Sequence, residues 1–391
     1  MARTTIPQSS MPPLRPRLDR QWRFRDHAAL HKPSRRAPRP SRVNAPIPPL
    51  LSFPFSAPPR PGEACEVAPG VFWLRMPLPF ALDHINLWLL ADGDGWTQID
   101  CGYGNPATRA LWEEHFSSTL AGRPVRRVIA THFHPDHLGN GAWLTQRFGC
   151  PLVMPQAEFL TAHAVSGEHS GYGVEAFAGL FRAHGLKPEH VAALEARGNQ
   201  YLRGVPELPS AYQRLMPETE VAIGEFRWRV LNGYGHSPEH AALFCERLGV
   251  CISGDMLLPT ISTNISVPPI EPEADPLARF LQSLSAFAEL VPETLILPSH
   301  GLPFAGAALR VEQLRAHHAA RLAELEAAAN SAVVTAADIV PVLFRRKLDV
   351  QQRFFAMGEA IAHLNHLWLA GRLERTAADG LFRFTGGRRL Q

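Results

Sequence analysis

The chain has 391 residues, which is enough for one large domain and a smaller one. Hydrophobic residues make up 46% of it, and its formal net charge at pH 7 is +3. No apolar run approaches the roughly 20 residues that a membrane-spanning helix needs. The 5 cysteines include no Cys-x-x-Cys pair, which argues against a disulfide scaffold and a thiolate zinc site. We therefore expect a cytoplasmic protein without a membrane partner.

The charge is distributed unevenly along the sequence. Residues 1–60 carry 12 basic and 2 acidic side chains, residues 61–307 carry 15 and 26, and residues 308–391 carry 12 and 8. Phosphate groups are normally contacted by lysine and arginine. The acidic middle segment therefore disfavours a polyanionic substrate for any site that it contains.

The N-terminal segment is rich in proline and arginine. It holds 13 of the 36 prolines, and pairs such as Pro12-Pro13 and Pro48-Pro49 are incompatible with the interior of helices and strands. It also lacks the apolar stretch and small-residue cleavage site of a secretory signal. We predict that residues 1–62 form a disordered, solvated tail.

From about Glu63 the chain alternates between strand-like and helix-like segments. Asp92-Gly93 supplies the positive φ of a hairpin turn at low cost, and Pro106 suits the first turn of a helix. The pattern predicts strands at residues 71–76, 85–90, 96–100, 127–131 and 151–154, and helices at 106–120 and 138–148.

The most informative stretch is the turn between the strand that ends at residue 131 and the next helix. It contains His132, His134, Asp136 and His137. His132 and His134 can point at one ion, and the adjacent Asp136 and His137 can face a second ion nearby. Imidazole and carboxylate groups are ligands of zinc, iron and manganese. The alternative is a histidine-rich surface loop, but the density of the pattern favours a metal site.

Residues 156–215 differ in composition and predict a helical insertion. Its histidines lack close ligand spacing, so we interpret them as surface or packing residues; they are His163, His169, His184 and His190.

Three later apolar strands each lead into a glycine or serine turn that carries a further candidate. These candidates are His236, Asp255 and His300. Layered α/β folds place catalytic groups at such strand ends. We therefore add these three residues to the four in the first turn.

The C-terminal segment, residues 308–391, predicts helices at 308–330, 335–344 and 350–369 and a hairpin around Asp379-Gly380. Helices followed by a hairpin are typical of a winged-helix-like domain. The predicted organisation is thus a tail (1–62), a catalytic domain (63–307) and this helical appendage.

In this order, His132-x-His134-x-Asp136-His137, His236, Asp255 and His300 resemble the ligand pattern of the metallo-β-lactamase superfamily. The resemblance covers residues 65–305 and is most specific to the hydrolase branch related to glyoxalase II, the hydroxyacylglutathione hydrolase. It implies an α/β fold of the αββα type, in which two mixed sheets pack face to face between helices.

Two residues depart from the family pattern. Cys101 stands where the family usually has threonine in an Asp-Thr-Gly turn, and Glu239 stands where many members have the glycine before the second histidine of Gly-His-Thr-x-Gly-His. Neither departure falls on a residue that the resemblance implies to be a ligand.

The resemblance also implies the role of each candidate. One metal would be held by His132, His134 and His236, and a second by Asp136, His137 and His300. Asp255 would bridge the two, and Asp136 and Asp255 would serve catalysis directly. The implied cofactors are two divalent ions, with zinc favoured over iron or manganese.

Two polar residues near these candidates are not part of the ligand pattern. We expect Asp100 to orient the metal turn or one of its histidines. For His240, a similar orienting role and a purely structural role are equally open.

Two divalent ions roughly 3.5–4 Å apart can lower the pKa of a shared water toward neutral and stabilise an oxyanion. The favoured function is therefore hydrolysis of a small-molecule ester, thioester or lactone.

The alternative is a metal-dependent phosphodiesterase acting on RNA, suggested by the C-terminal domain and by Arg345-Arg346-Lys347. A third, less favoured hypothesis is a protein without enzymatic activity whose metal site is structural. A small molecule is preferred over nucleic acid as the partner, and a homodimer is left open.

Overall fold

The computed structural model describes residues 50–167 and 170–387, so most of the predicted tail lies outside the described residues. Its last part is ordered. Ser52 exchanges two backbone hydrogen bonds with Ala305, at 3.2 and 2.8 Å. The ring of Phe55 packs edge-on against Trp73, with 6.1 Å between ring centroids. The prediction of disorder is therefore wrong for the segment around residues 52–55, because its aromatic side chains reach apolar partners on the body.

A chain that begins at residue 62 is expected to melt roughly 2–6 °C below a chain that begins at residue 50, because burying one aromatic side chain contributes about 1.5–3 kcal/mol. Thermal unfolding of the two chains measures the difference. Phe55→Ala in the longer chain should reproduce most of the loss. Equal melting temperatures for all three proteins would show that the Ser52 and Phe55 contacts add no stability.

The first sheet has seven strands in the order β1-β2-β3-β4-β5-β6-β7. Strands β1 to β4 pair antiparallel, whereas β4 to β7 pair in parallel. The predicted Asp-Gly turn joins β3 to β4 and is confirmed. The strands are β1 (Cys65–Ala68), β2 (Val71–Pro77), β3 (His84–Asp92), β4 (Gly95–Ile99), β5 (Val125–Ile129), β6 (Leu152–Met154) and β7 (Gln213–Arg214).

Helices connect the parallel strands of this sheet. Asn105 caps the first helix through its side chain, and Pro106 occupies its first turn, as predicted. The insertion between β6 and β7 is helical, which confirms its predicted character. The helices are α1 (Pro106–Ser117), α2 (Pro135–Leu138), α3 (Gly141–Phe148), α4 (Gln156–Ser166), α5 (Val174–Ala183), α6 (Pro188–Arg197) and α7 (Tyr201–Gly204).

The second sheet has five strands in the order β12-β11-β10-β9-β8. Only β11 and β12 pair in parallel, and helix α8 forms the crossover between them. Strands β1, β7 and β8 were not predicted from the sequence, because each has at most four residues and carries little apolar periodicity. The elements are β8 (Glu220–Ile223), β9 (Phe226–Gly233), β10 (His240–Cys245), β11 (Val250–Gly254), α8 (Pro276–Ala288) and β12 (Leu295–Pro298).

The two sheets pack face to face, and alternate residues of one strand point to different layers. Trp73 of β2 lies in a core shared with Trp228 of the second sheet. Its neighbour Leu74 faces the opposite side, in a core with Trp112 of α1. The outer face of the second sheet is covered by helices, with Phe280 of α8 in that core. The order helix–sheet–sheet–helix confirms the predicted αββα fold.

The C-terminal segment folds as predicted into three helices and a hairpin. Thr335 and Asp349 each begin a helix with a capping box. These helices share one apolar core with α8 and the second sheet. None of the described helices has the length and apolar character needed to cross a membrane. The elements are α9 (Ala307–Ser331), α10 (Ala336–Leu343), α11 (Val350–Leu369), β13 (Leu373–Ala378) and β14 (Leu381–Gly386).

Candidate metal centre

The strands that precede the candidate residues come from both sheets, and their ends meet at one edge of the sandwich. The turn after β5 carries the first four candidates, and the turns after β9, β11 and β12 carry the other three. All seven predicted site residues lie together in two adjoining groups. None of the insertion histidines that the structure describes belongs to either group, and His169 lies outside the described residues.

The first group contains His132, His134, His236 and Asp255, whose potential donor atoms all lie within 4.8 Å of one another. Nε2 of His132 is 2.9 Å from Nδ1 of His134 and 3.3 Å from Nε2 of His236. Nε2 of His236 is also 3.3 Å from Oδ2 of Asp255. Three imidazole nitrogens and one carboxylate oxygen therefore converge on one point.

The second group contains Asp136, His137 and His300, again with donor atoms within 4.8 Å of one another. Nε2 of His300 lies 3.4 Å from Oδ2 of Asp136, and Nε2 of His137 lies 3.8 Å from the same oxygen. This set could hold a second cation.

Asp255 lies between the two groups. Its Oδ2 faces His236, whereas its Oδ1 lies 3.6 Å from Nε2 of His137 and 3.5 Å from Nε2 of His300. Each carboxylate oxygen is thus directed at a different group. This placement is the one that a residue bridging two cations needs.

The donor atoms of the two groups do not satisfy one another by hydrogen bonding, but they suit divalent cations. Among the described residues, Nε2 of His137 and Oδ1 of Asp255 are buried and have no hydrogen-bond partner. A buried polar atom left unpaired costs about 1–3 kcal/mol. Five imidazoles and two carboxylates without a thiolate are a donor set that zinc, iron and manganese accept.

Burial and neighbouring charges shift the pKa of a histidine in opposite directions in the two groups. Burial, together with His236, lowers the pKa of His134 to about 3, so its imidazole is neutral and has a free electron pair. Burial also disfavours charge on His300, but Asp255 and Asp136 outweigh it and raise the pKa of His300 to about 10. A cation in the second group would therefore displace protons, and its affinity should rise with pH.

Asp100 supports the metal turn, as predicted, and it contacts both the turn and a histidine. Its carboxylate accepts hydrogen bonds from the backbone N–H of Thr131 at 2.7 Å and from Nδ1 of His137 at 2.7 Å. The hydroxyl of Thr131 is 3.0 Å from both carboxylate oxygens. Because Nδ1 of His137 donates to Asp100, its Nε2 is directed at the candidate centre.

His240 also acts on a candidate residue, although it is not a member of either group. Its buried Nε2 accepts a hydrogen bond from the backbone N–H of Asp255 at 3.2 Å. Gly254 makes this approach possible, because a Cβ there would clash with the same nitrogen. Of the two roles that the sequence left open, the contact favours orientation of Asp255.

The outer ring nitrogens of two other histidines are also fixed. Nδ1 of His236 donates to the carbonyl oxygen of Asn264, and Nδ1 of His300 donates to that of His84, both at 2.8 Å. These hydrogen bonds turn the Nε2 atoms inward. Asn264 and His84 could not be predicted from the sequence, since both act through backbone carbonyls, which leave no side-chain signal.

Glu158 of α4 is a further buried residue near the candidates, and it was not predicted from the sequence. It accepts hydrogen bonds from the backbone N–H of Phe133 at 3.0 Å, the hydroxyl of Ser237 at 2.7 Å and the backbone N–H of Glu239 at 2.5 Å. It thereby joins the turn after β5 to the turn after β9. Burial outweighs these hydrogen bonds and raises the pKa of Glu158 to about 7. Its only sequence signal was that it is the single acidic residue of α4.

Glu158→Gln is expected to weaken metal binding by the first group roughly 10-fold, in the range known for residues that orient ligands. A carboxamide has one acceptor oxygen, so in either orientation its NH₂ group faces an N–H donor of Phe133 or Glu239. Metal titration monitored by calorimetry measures the change. Glu189→Gln on the exposed surface of the same insertion is the matched control. Unchanged affinity in Glu158→Gln would contradict the role of Glu158 as a clamp.

Two known proteins are similar in sequence to this chain. The probable metallo-hydrolase YqjP of Bacillus subtilis (strain 168) is 25% identical over 308 residues, which cover 76% of this chain and 92% of that protein. A hydroxyacylglutathione hydrolase of Thiobacillus denitrificans is 31% identical over 97 residues, which cover 24% of this chain and 35% of that protein.

Two solved structures extend over most of the chain. A beta-lactamase domain protein from Burkholderia ambifaria is 48% identical, with a TM-score of 0.80 and coverage of 86% of this chain and 98% of that chain. A metallo-beta-lactamase family protein from Thermus thermophilus is 29% identical, with a TM-score of 0.69 and coverage of 82% of this chain and 100% of that chain.

Family models agree with the architecture. The model described as "Metallo-beta-lactamase-like, C-terminal domain" matches residues 322–387, which contain α10, α11 and the hairpin. The model of the Metallo-beta-lactamase superfamily matches residues 81–300, which include all seven candidates and more than half of the chain. With the αββα sandwich and the histidine–aspartate cluster at its edge, these matches show that the chain belongs to the metallo-β-lactamase superfamily.

Proposed function

We propose that this metallo-hydrolase uses two divalent cations to hydrolyse a carboxylic ester, thioester or lactone. The observation that supports the proposal is the position of Asp255, whose two carboxylate oxygens face two different groups of donor atoms. A single structural ion needs only one closed set of four ligands. Two adjoining sets that share a carboxylate are instead suited to hydrolytic chemistry.

In this proposal His132, His134 and His236 hold one cation, Asp136, His137 and His300 hold the other, and Asp255 contacts both. When bound, the cations supply an acidified water and polarise the carbonyl group that is attacked. The two carboxylates offset part of the positive charge. The side chain of Asp136 is 19% exposed, compared with 11% for Asp255 and 4% for His300. We infer that the substrate approaches from the side of Asp136, whose carboxylate can then orient the leaving group or accept a proton.

Two observations support an acyl substrate. The name of one relative, hydroxyacylglutathione hydrolase, describes a thioester hydrolase, although the similarity covers only part of the chain. The acidic segment 61–307 also provides few cationic groups for a polyanion. An RNA substrate would instead be bound by the C-terminal domain and residues 345–347. Of these, Arg345 lies 3.7 Å from the carboxylate of Glu324, which offsets part of its charge.

The test combines metal analysis with a substrate panel. The protein is reconstituted with zinc, manganese or iron, its metal content is measured by plasma emission, and thioesters, lactones and labelled RNA are assayed. We expect two ions per chain and turnover of an acyl substrate. A stoichiometry fixed at or below one ion would contradict the two-metal centre. Cleavage of RNA without acyl hydrolysis would assign the phosphodiesterase function instead.

A further inference from the structure

The first part of the connection between β11 and α8, residues 256–267, directly follows Asp255 and is here called the Asp255 loop. It is held from outside by the two long C-terminal helices. On α9, Arg310 donates through Nε to the carbonyl oxygen of Leu258 at 2.6 Å and through Nη2 to that of Ile261 at 2.8 Å. Arg310 is only 8% exposed and Leu258 only 2%, so the guanidinium is a buried anchor at the start of the loop, whereas Ile261 lies nearer the surface.

Helix α11 holds the other half of the Asp255 loop. Oε2 of Glu359 accepts a hydrogen bond from Nδ2 of Asn264 at 3.2 Å. The carbonyl oxygen of the preceding residue, Gly358, accepts one from the backbone N–H of Val267 at 3.4 Å. Helices α9 and α11 thus contact the loop at its beginning, middle and end.

The same loop contacts two candidate ligands on its inner side. The carbonyl oxygen of Asn264 accepts the hydrogen bond from Nδ1 of His236 at 2.8 Å. The hydroxyl of Thr263 donates to the carbonyl oxygen of Asp255 at 2.5 Å. Asn264 therefore contacts α11 through its side chain and His236 through its backbone.

The fit between α11 and the loop leaves little space for a shift. A Cβ on Gly358 would lie 2.6 Å from the hydroxyl oxygen of Ser266. That hydroxyl donates to Oδ1 of Asn264 at 2.7 Å, which turns Nδ2 of the amide toward Glu359. A displacement of α11 would therefore be transmitted to Asn264 and, through its carbonyl, to the ring of His236.

We propose that the C-terminal helices are a positioning element of the metal centre, and that Glu359 is the positioning residue that fixes His236 through Asn264. The proposal builds on the two-metal centre described under Proposed function. It assigns the C-terminal domain a role in the chemistry of this chain that does not require RNA. It also implies that loss of the Glu359 contact affects the ion held by His132, His134 and His236 more than the other ion.

The experiment uses the full chain and compares Glu359→Leu, Glu359→Gln and the control Glu374→Gln, an exposed glutamate of β13 in the same domain. Zinc affinity is measured by competition with a chelator. The ligand field of the first group is measured by the absorption spectrum of the cobalt-substituted protein. Leucine cannot accept the hydrogen bond of Asn264, whereas the glutamine oxygen can.

We expect Glu359→Leu to weaken one of the two zinc ions about 10–100-fold and to alter the cobalt spectrum, in the range known for residues that orient metal ligands. Glu359→Gln should restore most of the affinity, and Glu374→Gln should match the wild type. Wild-type affinity and spectrum in Glu359→Leu would overturn the proposal. Failure of the wild type itself to bind two ions would instead contradict the proposed function.

A double-mutant cycle with Asn264→Ala tests the route of the effect and does not depend on Glu359→Leu alone. If Glu359 acts through Asn264, Asn264→Ala should weaken the same zinc ion, and adding Glu359→Leu should weaken it no further. Independent, additive losses would show that Glu359 acts by another route and would overturn the proposal. Asn264→Ala with unchanged zinc affinity would overturn it as well.

Discussion

Asp255→Asn is expected to lower kcat at least about 100-fold, comparable with the loss of an oxyanion-hole donor. In the structure one carboxylate oxygen faces His236 and the other faces His137 and His300. A carboxamide of the same shape has only one oxygen, so its NH₂ group must face one of the two groups. That group then loses an anionic ligand, and the charge of two dications is no longer offset to the same extent.

The measurement is steady-state turnover together with metal content, and we expect occupancy to fall most for the group of Asp136, His137 and His300. His163→Ala is the control, because His163 is exposed on α4 of the insertion and belongs to neither group. Near-normal turnover with two ions bound in Asp255→Asn would show that Asp255 is not the bridge. The assignment of the turn after β11 would then be wrong, even if the turn after β5 still bound metal.

Asp100→Ala is expected to lower the free energy of unfolding of the metal-free protein by about 3 kcal/mol, since it leaves several buried donors without an acceptor. The donors are the N–H and hydroxyl of Thr131 and Nδ1 of His137. Zinc affinity should also fall about 10–100-fold, because the ring of His137 is no longer held with Nε2 toward the centre. Urea unfolding and zinc titration measure the two effects separately.

The backbone of Asp100 requires a matched control. Its φ is +60°, in the left-handed region that alanine adopts less readily than aspartate. Asp379, in the exposed turn between β13 and β14, has a φ of +54°. Asp379→Ala therefore reports the backbone cost without the buried hydrogen bonds. If both variants lose the same stability and neither loses zinc affinity, Asp100 does not orient His137.

Much of the fold could be predicted because it depends on neighbours in the sequence. The Asp92-Gly93 turn, the capped helix after Asn105 and the three C-terminal helices follow from local turn chemistry and apolar periodicity. The candidate residues could be found for a similar reason. His132 and His134 lie two positions apart in one turn, and His236, Asp255 and His300 each follow an apolar strand.

Contacts between distant segments could not be predicted in this way. Glu158 and Ser237 are 79 positions apart, and Asn264 and Glu359 are 95 positions apart. No periodicity or turn signal connects such pairs, since they meet only after the sheets and helices have packed. The segment around Ser52 is a similar case, because its prolines and arginines suggest a solvated tail while its two phenylalanines pack on the body.

Local sequence patterns were therefore enough to locate the strand ends that carry the candidate ligands and their order along the chain. The groups that orient those candidates, on Asp100, Glu158 and Asn264, are brought to them by the packing of the sheets and helices. The two kinds of interaction differ in their range along the chain. Backbone preference and side-chain alternation act between residues a few positions apart, whereas a buried hydrogen bond depends on the position of two segments that only packing brings together.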